Sequence, residues 1–374
     1  MRLRDRDETG ICTEPSTATL ACFPFGDLPT KELSAWEAIC DADERFANPF
    51  FRPELMGEIA AVRPGAEVAV LYSGEQPTAF FPFERHGVSK AIPVGDSFSD
   101  YHGIISRNEV SSSQLRQILN ACRLRQFDFH HLPAAQSIFR DYAYFEEASP
   151  VVDLRHGVDG YFEDLRRRNS RFPKRMRQRA RKLERDVGRL HLTVSSDPAD
   201  FELMQQFKSH RCKAQLRENI YDCPWASSIF HRLLQRDDDA LSGCIAHLRA
   251  GSKSVGLIYL IRSYAQSHAW MMTVNDEVTS YSPGLLTLYY LIQNTPELGI
   301  ERIELARGDE RFKATVQNAQ HMVMEGSIGG SMLLNYARSA WLSGKRMFRD
   351  TPIERPAKSM IRWTRHLGTS LAGK

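Results

Sequence analysis

Residues 281–294 read YSPGLLTLYYLIQN and stand between two strand-like runs, HAWMMTV (268–274) and IERIEL (300–305). A strand that hands over to a helix aims the helix's unpaired N–H groups, and the positive end of its dipole, at the mouth of the sheet, which makes an anion site. Pro283 suits the first helical position, where a missing N–H costs nothing, and Gly284 lets a ligand approach the backbone closely. Ser282 can cap the helix or donate a hydrogen bond. The same residues also suit an ordinary packed helix start, so the surrounding chain decides between the two readings.

Outward from this stretch, one order of elements occurs twice. Residues 29–41 and 53–62 read as helices, followed by strand-like EVAVLY (67–72), PTAFFPFE (77–84), AIPV (91–94) and HGII (102–105). Then SSSQLRQILNACRLR places Leu115, Ile118, Leu119 and Cys122 at helical spacing behind a serine cap, and FDFHHL returns as a strand. In the second half, 199–215 and 224–236 read as helices, LSGCIAHLRA and SVGLIYLI as a hairpin around Gly251-Ser252, and HAWMMTV as a third strand. Helix 283–294 and strand 300–305 complete the same order, so the fold class is α/β in two tandem units.

The chain has 374 residues, 42% hydrophobic and 25% charged, too long for one compact core and suited to two domains. Its apolar runs are short and its charged N-terminus has no apolar region behind it, which argues against a signal peptide or spanning helix and places the protein in the cytoplasm. Seven scattered cysteines, none spaced C-x-x-C, read as reduced filler rather than a disulfide framework or zinc site. His130 and His131 have no partner acids at metal spacing, so no metal is expected.

The net charge is only +3, but its distribution is uneven. Residues 166–185 hold eleven Lys or Arg and one acid, and the tail from 331 onward holds nine against two. So dense a run either faces solvent or is offset by an anion, for which phosphate, nucleic acid and an anionic membrane surface all qualify.

SDYHG (99–103), LRRRNSRFPKRMRQRARKLER, YSPG opening a helix and LARGDERFK (305–313) together resemble the CelD-type members of the GNAT superfamily, over roughly residues 30–330. These are tandem-GNAT, FemAB-related acyltransferases associated with bacterial exopolysaccharide or cellulose biosynthesis. The resemblance implies an N-terminal extension (1–28), a GNAT-like domain (29–155), a second, donor-binding GNAT-like domain (156–330) and a basic helical tail (331–374). Two departures stand out: Phe312 replaces the family's usual tyrosine, and of the glycine-rich pyrophosphate loop only Gly284 survives.

The implied chemistry is acyl transfer from an acyl-CoA or acyl carrier protein to an amine held in a splayed gap between two parallel strands, with the rate coming from positioning and oxyanion stabilisation. Met272, Thr273 and Val274 would pair with the donor's arm, and the backbone from Ser282 through Pro283, Gly284 and Leu285 to Leu286 would meet its pyrophosphate. Asp309 would accept the amine's proton or hold the amine, and Lys313 would bind an anionic substrate group. Asp100 and His102 are placed at the rim of the first domain facing the second, His102 as a base; DYHG also suits a plain turn. The acceptor is a small molecule or glycan precursor, and the basic run 166–185 suits an acidic acyl carrier protein. Transfer from aminoacyl-tRNA ranks behind, because 159–187 is too short for a coiled-coil hairpin and Pro173 interrupts it. A third reading is a silent scaffold held to the inner membrane surface by WLSGKRMF and MIRWTRHL in the tail.

Overall fold

A computed structural model describes residues 18–169, 171–214, 219, 223–307 and 311–330, with 335, 336 and 340. Most of the basic tail, most of the N-terminal extension and Asp309 lie outside the described residues. The first half runs β1 (Ala18–Pro24), α1 (Thr30–Ala42), α2 (Pro53–Ala60), β2 (Ala66–Ser73), β3 (Gln76–His86), β4 (Lys90–Ile92), β5 (Ile105–Ser106), α3 (Ser112–Ala121), β6 (Gln126–Pro133) and β7 (Ala143–Asp153). The second runs α4 (Gly157–Arg168), α5 (Arg171–Asp186), β8 (Leu190–Ser195), α6 (Pro198–Ala214), α7 (Pro224–Leu234), β9 (Ser242–Ala250), β10 (Lys253–Ser263), β11 (Gln266–Val274), α8 (Pro283–Asn294), β12 (Arg302–Glu304), α9 (Arg311–Val316) and β13 (Ala319–Ile328).

The repeat is real in three dimensions. In each half three antiparallel strands are followed by a helix and a strand parallel to the third: β2, β3, β4, α3, β6 and then β9, β10, β11, α8, β12. The two halves share one sheet, in the order β1-β2-β3-β4-β6-β13-β7-β12-β11-β10-β9-β8, with β5 beside β3. Its middle is an exchange of strands. β7 of the first half pairs with β12 of the second, and β13 of the second half lies between β6 and β7 of the first.

Two layers of helices cover the sheet. On one face Trp36, Phe50, Phe80 and Phe98 join Phe201, Phe230, Tyr259 and Ile261 in a single core that draws on both halves. Trp36 stacks on Phe80 at 5.3 Å and Phe98 meets Trp270 at 4.2 Å, so large rings pack against one another in it. On the other face each half keeps its own core, around α3 in the first and around α4, α5 and α8 in the second. α5 shows how this works locally: Phe172, Pro173, Met176, Ala180 and Leu183 are buried on one side, and most of the remaining positions are filled by cations. Glu58 on α2 ties the halves together by accepting from Arg232 (2.5 Å) and Arg236 (2.9 Å) on α7.

Several local expectations change. Residues 18–24, assigned above to an extension, form β1, because their backbone pairs with β2 from Ala18↔Ser73 to Pro24↔Glu67. HGII is not a strand except for Ile105, since residues 93–104 leave the sheet to pack between the halves. IERIEL shortens to Arg302–Glu304. The basic run 166–185 is divided between two helices, with Asn169 closing α4 at φ −149°.

Candidate active site

The parallel register of β11 with β12 covers only Gln266–His268 against Arg302–Glu304. Beyond it β12 turns to β7, where the Leu305 N–H donates to the Pro150 carbonyl (3.0 Å). Ala269–Val274 therefore have no strand on that flank among the described residues. A bulge opposite Tyr259 and Leu260 adds Trp270 to β11, and its indole N–H donates to the Phe98 carbonyl (3.0 Å). The first half thus reaches into the mouth of the second half's gap.

At the apex of the gap stands Asp100. Its Oδ2 lies 2.8 Å from His268 Nε2, and His268 is fully buried on the last paired residue of β11. The other ring nitrogen, Nδ1, meets Asn48 Nδ2 at 3.3 Å. Asn48 Oδ1 already accepts from the Phe50 N–H (3.0 Å), so the Asn48 amide donates to Nδ1. His268 is thereby the Nε2–H tautomer and donates to Asp100; both its nitrogens are occupied, and it orients the carboxylate rather than serving as a base. Burial alone would raise the Asp100 carboxyl, but the His268 hydrogen bond and the nearby charges of His131 and Lys313 outweigh it and hold the group down at about 2. Lys313 also donates to the Ala306 carbonyl (3.3 Å) from α9.

The structure therefore brings Asp100 and Lys313 together and joins to them His268, which reasoning from sequence missed. His268 had no motif around it; its position as first residue of a strand followed by a helix was the one signal. A second missed group is Glu304, buried on β12, which accepts from the Tyr101 hydroxyl (3.1 Å) and lies 3.1 Å from His321 Nε2.

His102 is placed differently from a base at a rim. It is 5% exposed, both ring nitrogens lack a hydrogen-bond partner, and its ring stands 5.2 Å from that of His130. Burial first, then the neighbouring His130, His131 and Arg307, push it well below the usual imidazole range. A group so strongly held neutral and so enclosed is poorly placed to exchange protons with a substrate. His131 follows suit: burial depresses it to about 3, against the opposing pull of Asp100. Carboxylates do approach these imidazoles, Asp96 at 3.7 Å from His130 and Asp100 at 3.8 Å from His131, yet no group of His, Cys, Asp or Glu among the described residues is arranged to hold a metal ion.

The buried imidazoles of His102 and His131 contribute to the acid behaviour of the fold. Their folded pKa lies below the unfolded value of about 6.5, so below that pH the unfolded chain binds more protons and stability is lost as pH falls toward 3. The melting temperature is expected to fall steadily from pH 6.5 to 4. His102→Phe should flatten that slope; an unchanged slope would assign it to other groups.

At the far end of β11, α8 begins with Ser282 in the left-handed region (φ +58°) and with no side-chain cap. Ser282 does not cap; its Oγ accepts from Arg179 Nη1 on α5 (2.5 Å). Lys182 lies over the Tyr281 ring at 5.4 Å. Arg179 is drawn below its usual value by burial and by Arg175, so cations crowd the positive end of a helix with free first-turn N–H groups. The α3 start in the first half is the opposite case. There Ser111 and Gln114 form a reciprocal capping box that satisfies the helix's own donors. Gly284 has a packing reason as well: a Cβ would come within 3.1 Å of Met272 Sδ and 3.5 Å of Val274 Cγ1. Met272 is half-buried, and the Thr273 hydroxyl is buried without a partner.

Residues 170–314 match the family model described as "Acetyltransferase (GNAT) domain". No curated protein matches the chain. Among solved structures, FemX is 8% identical over 79% of this chain and 94% of its own, with a TM-score of 0.55, which establishes a shared fold. A tandem GNAT protein from the clavulanic acid biosynthesis pathway is 11% identical over 84% of this chain and 99% of its own, with a TM-score of 0.46. Among the described residues no helix is long and apolar enough to cross a membrane. Residues 170–314, in the second half, thus match a GNAT-type acetyltransferase domain, set beside a first half with the same order of elements.

Proposed function

We propose that the protein moves an acyl group from an acyl thioester to an amine, with the donor bound by the second half of the chain. The observation that carries this reading is the parting of β11 from β12, with the Asp100 carboxylate at its apex and the uncapped, cation-lined start of α8 at its far end. From Ala269 to Val274 the strand runs about 20 Å, enough for an extended donor arm. Met272, Thr273 and Val274 offer backbone pairing there, and the N–H groups of Gly284 and Leu285 with Arg179 offer a phosphate site, shaped by the turn at Ser282 and Pro283; the Leu286 N–H instead donates to the Ser282 carbonyl (3.0 Å). An acyl-CoA fits this set as co-substrate.

Asp100 is ionised at any working pH, so it is a poor base and a good anchor for positive charge. An amine gains positive charge as it attacks a carbonyl, and a fixed carboxylate beside it lowers that barrier. The resemblance to CelD-type proteins supports an amine of a sugar, nucleotide-sugar or amino-acid-derived acceptor in cytoplasmic exopolysaccharide biosynthesis. The exposed cations of α5 (Arg171, Lys174, Arg175, Arg177, Arg181, Lys182 and Arg185) favour an acidic acyl carrier protein as the donor's bearer and keep aminoacyl-tRNA as the second reading.

The deciding experiment is the thermal shift of the protein with acyl-CoAs, free coenzyme A, an acyl carrier protein and aminoacyl-tRNA in separate samples. A ligand at about a hundred times its Kd adds about 2.7 kcal/mol, which is several degrees. The wild type should shift with an acyl-CoA or the carrier, whereas Gly284→Glu and Arg179→Gln, each folded by its own melting curve, should not. A shift with aminoacyl-tRNA alone would replace the thioester reading, and a shift that survives in both variants would move the donor site away from α8.

A further inference from the structure

Two cysteines lie 100 residues apart in sequence and side by side in the fold. Cys22 sits on β1, an edge strand, in register with Ala69, and shares the strand face of Leu20, which packs on the core around α3. Cys122 closes α3 and belongs to that same core. One ion pair brackets both. Glu67 lies 3.5 Å from the Cys22 Sγ, Arg85 bonds both oxygens of Glu67 (2.5 and 2.6 Å), and the same guanidinium donates to the Cys122 carbonyl (3.0 Å). The two cysteines therefore flank one ion pair, Cys22 exposed and Cys122 buried.

We propose that Cys22 and Cys122 are a redox modification site, a dithiol that closes reversibly to a disulfide and locks the edge strand β1 to the end of α3. The geometry also divides the roles. Contact with the partner thiol, burial and the Glu67 charge all raise Cys22, while the hydrogen bond from Cys22 lowers Cys122 and Arg85 assists, so the pair holds its shared proton on the exposed sulfur.

With oxidised glutathione as oxidant the step balances. With one proton lost from the pair, the exposed Cys22 sulfur passes its own proton to the Cys122 sulfur, attacks the glutathione disulfide and expels one glutathione thiolate. The Cys122 sulfur then attacks the Cys22 sulfur of the mixed disulfide and expels the second. The protein loses two electrons and two protons, which leave as two reduced glutathiones. A bridge of this span removes freedom from the unfolded chain and should raise the melting temperature by about 5 °C or more.

The test uses the full chain, reduced and then incubated with oxidised glutathione. Thiol titration should fall by two of the seven cysteines, and a non-reducing digest should contain a Cys22–Cys122 linked peptide. Dithiothreitol should restore both thiols and the lower melting temperature. Cys22→Ser, at an exposed position, should abolish the linked peptide and the stabilisation without unfolding the protein. Retention of all seven thiols, a persistent glutathione adduct on Cys22, or linkage between other cysteines would each overturn the proposal.

Discussion

Asp100→Asn is expected to lower kcat/KM by about 10²-fold or more while the melting temperature stays within a few degrees of the wild type. The substitution keeps the shape and still offers an oxygen to His268 Nε2–H, so the packing of the gap's apex survives. What it removes is a charge. Two unit charges about 4 Å apart at an effective dielectric of about 20 interact by about 4 kcal/mol, and a loss of about 2.7 kcal/mol already amounts to a hundredfold. The measurement is initial-rate transfer to a panel of amines, using whichever donor shifts the wild type. Turnover unchanged in the variant would remove the carboxylate from the chemistry and leave it as a cross-link between the halves. Loss of folding, by contrast, would show in the melting curve and would be resolved by Asn48→Ala, which frees His268 Nδ1 without touching the charge.

Gly326→Val should destabilise the whole protein, by more than about 3 kcal/mol. Gly326 lies on β13 where that strand is squeezed between β6 and β7, and a Cβ there would meet Phe129 Cζ and the Tyr142 carbonyl oxygen, each at 2.3 Å. The carbonyl is backbone, so relief requires the strands to part. Because β13 comes from the second half and its neighbours from the first, the loss is expected in one cooperative transition rather than in half of the molecule. Gly26→Ala is the control, since nothing lies within 4 Å of its would-be Cβ. A Gly326→Val melting temperature within about 2 °C of the wild type would mean that β13 is not held between those strands.

What could be read from the chain depended on how local its cause is. Helix 283–294 was legible to the residue, because proline, glycine and the apolar spacing all act within one turn. The capped helix after Ser111 was legible for the same reason. β7 and β13 were not. AYFEEASPVVD carries charges and a proline, and AQHMVMEGSI alternates weakly, so neither displays the pattern of a central strand. They are strands because each is clasped by a neighbour from the other half, a cause absent from any window of sequence.

The candidate site divides along the same line. A strand handing over to a helix pointed to the α8 start, whereas Asp100 and Lys313 were reached through the resemblance carried by SDYHG and LARGDERFK. Asp100 and His268 are 168 residues apart, and their pairing follows from the register of one sheet and from residues 93–104 leaving it to pack between the halves. By itself the sequence determined the order of elements and the α/β repeat, since both follow from periodicity along the chain. Only the tertiary structure decided that the halves exchange strands, that His102 is sealed in the core and that Asp100 stands at the gap, because burial and charge pairing are properties of neighbours in space.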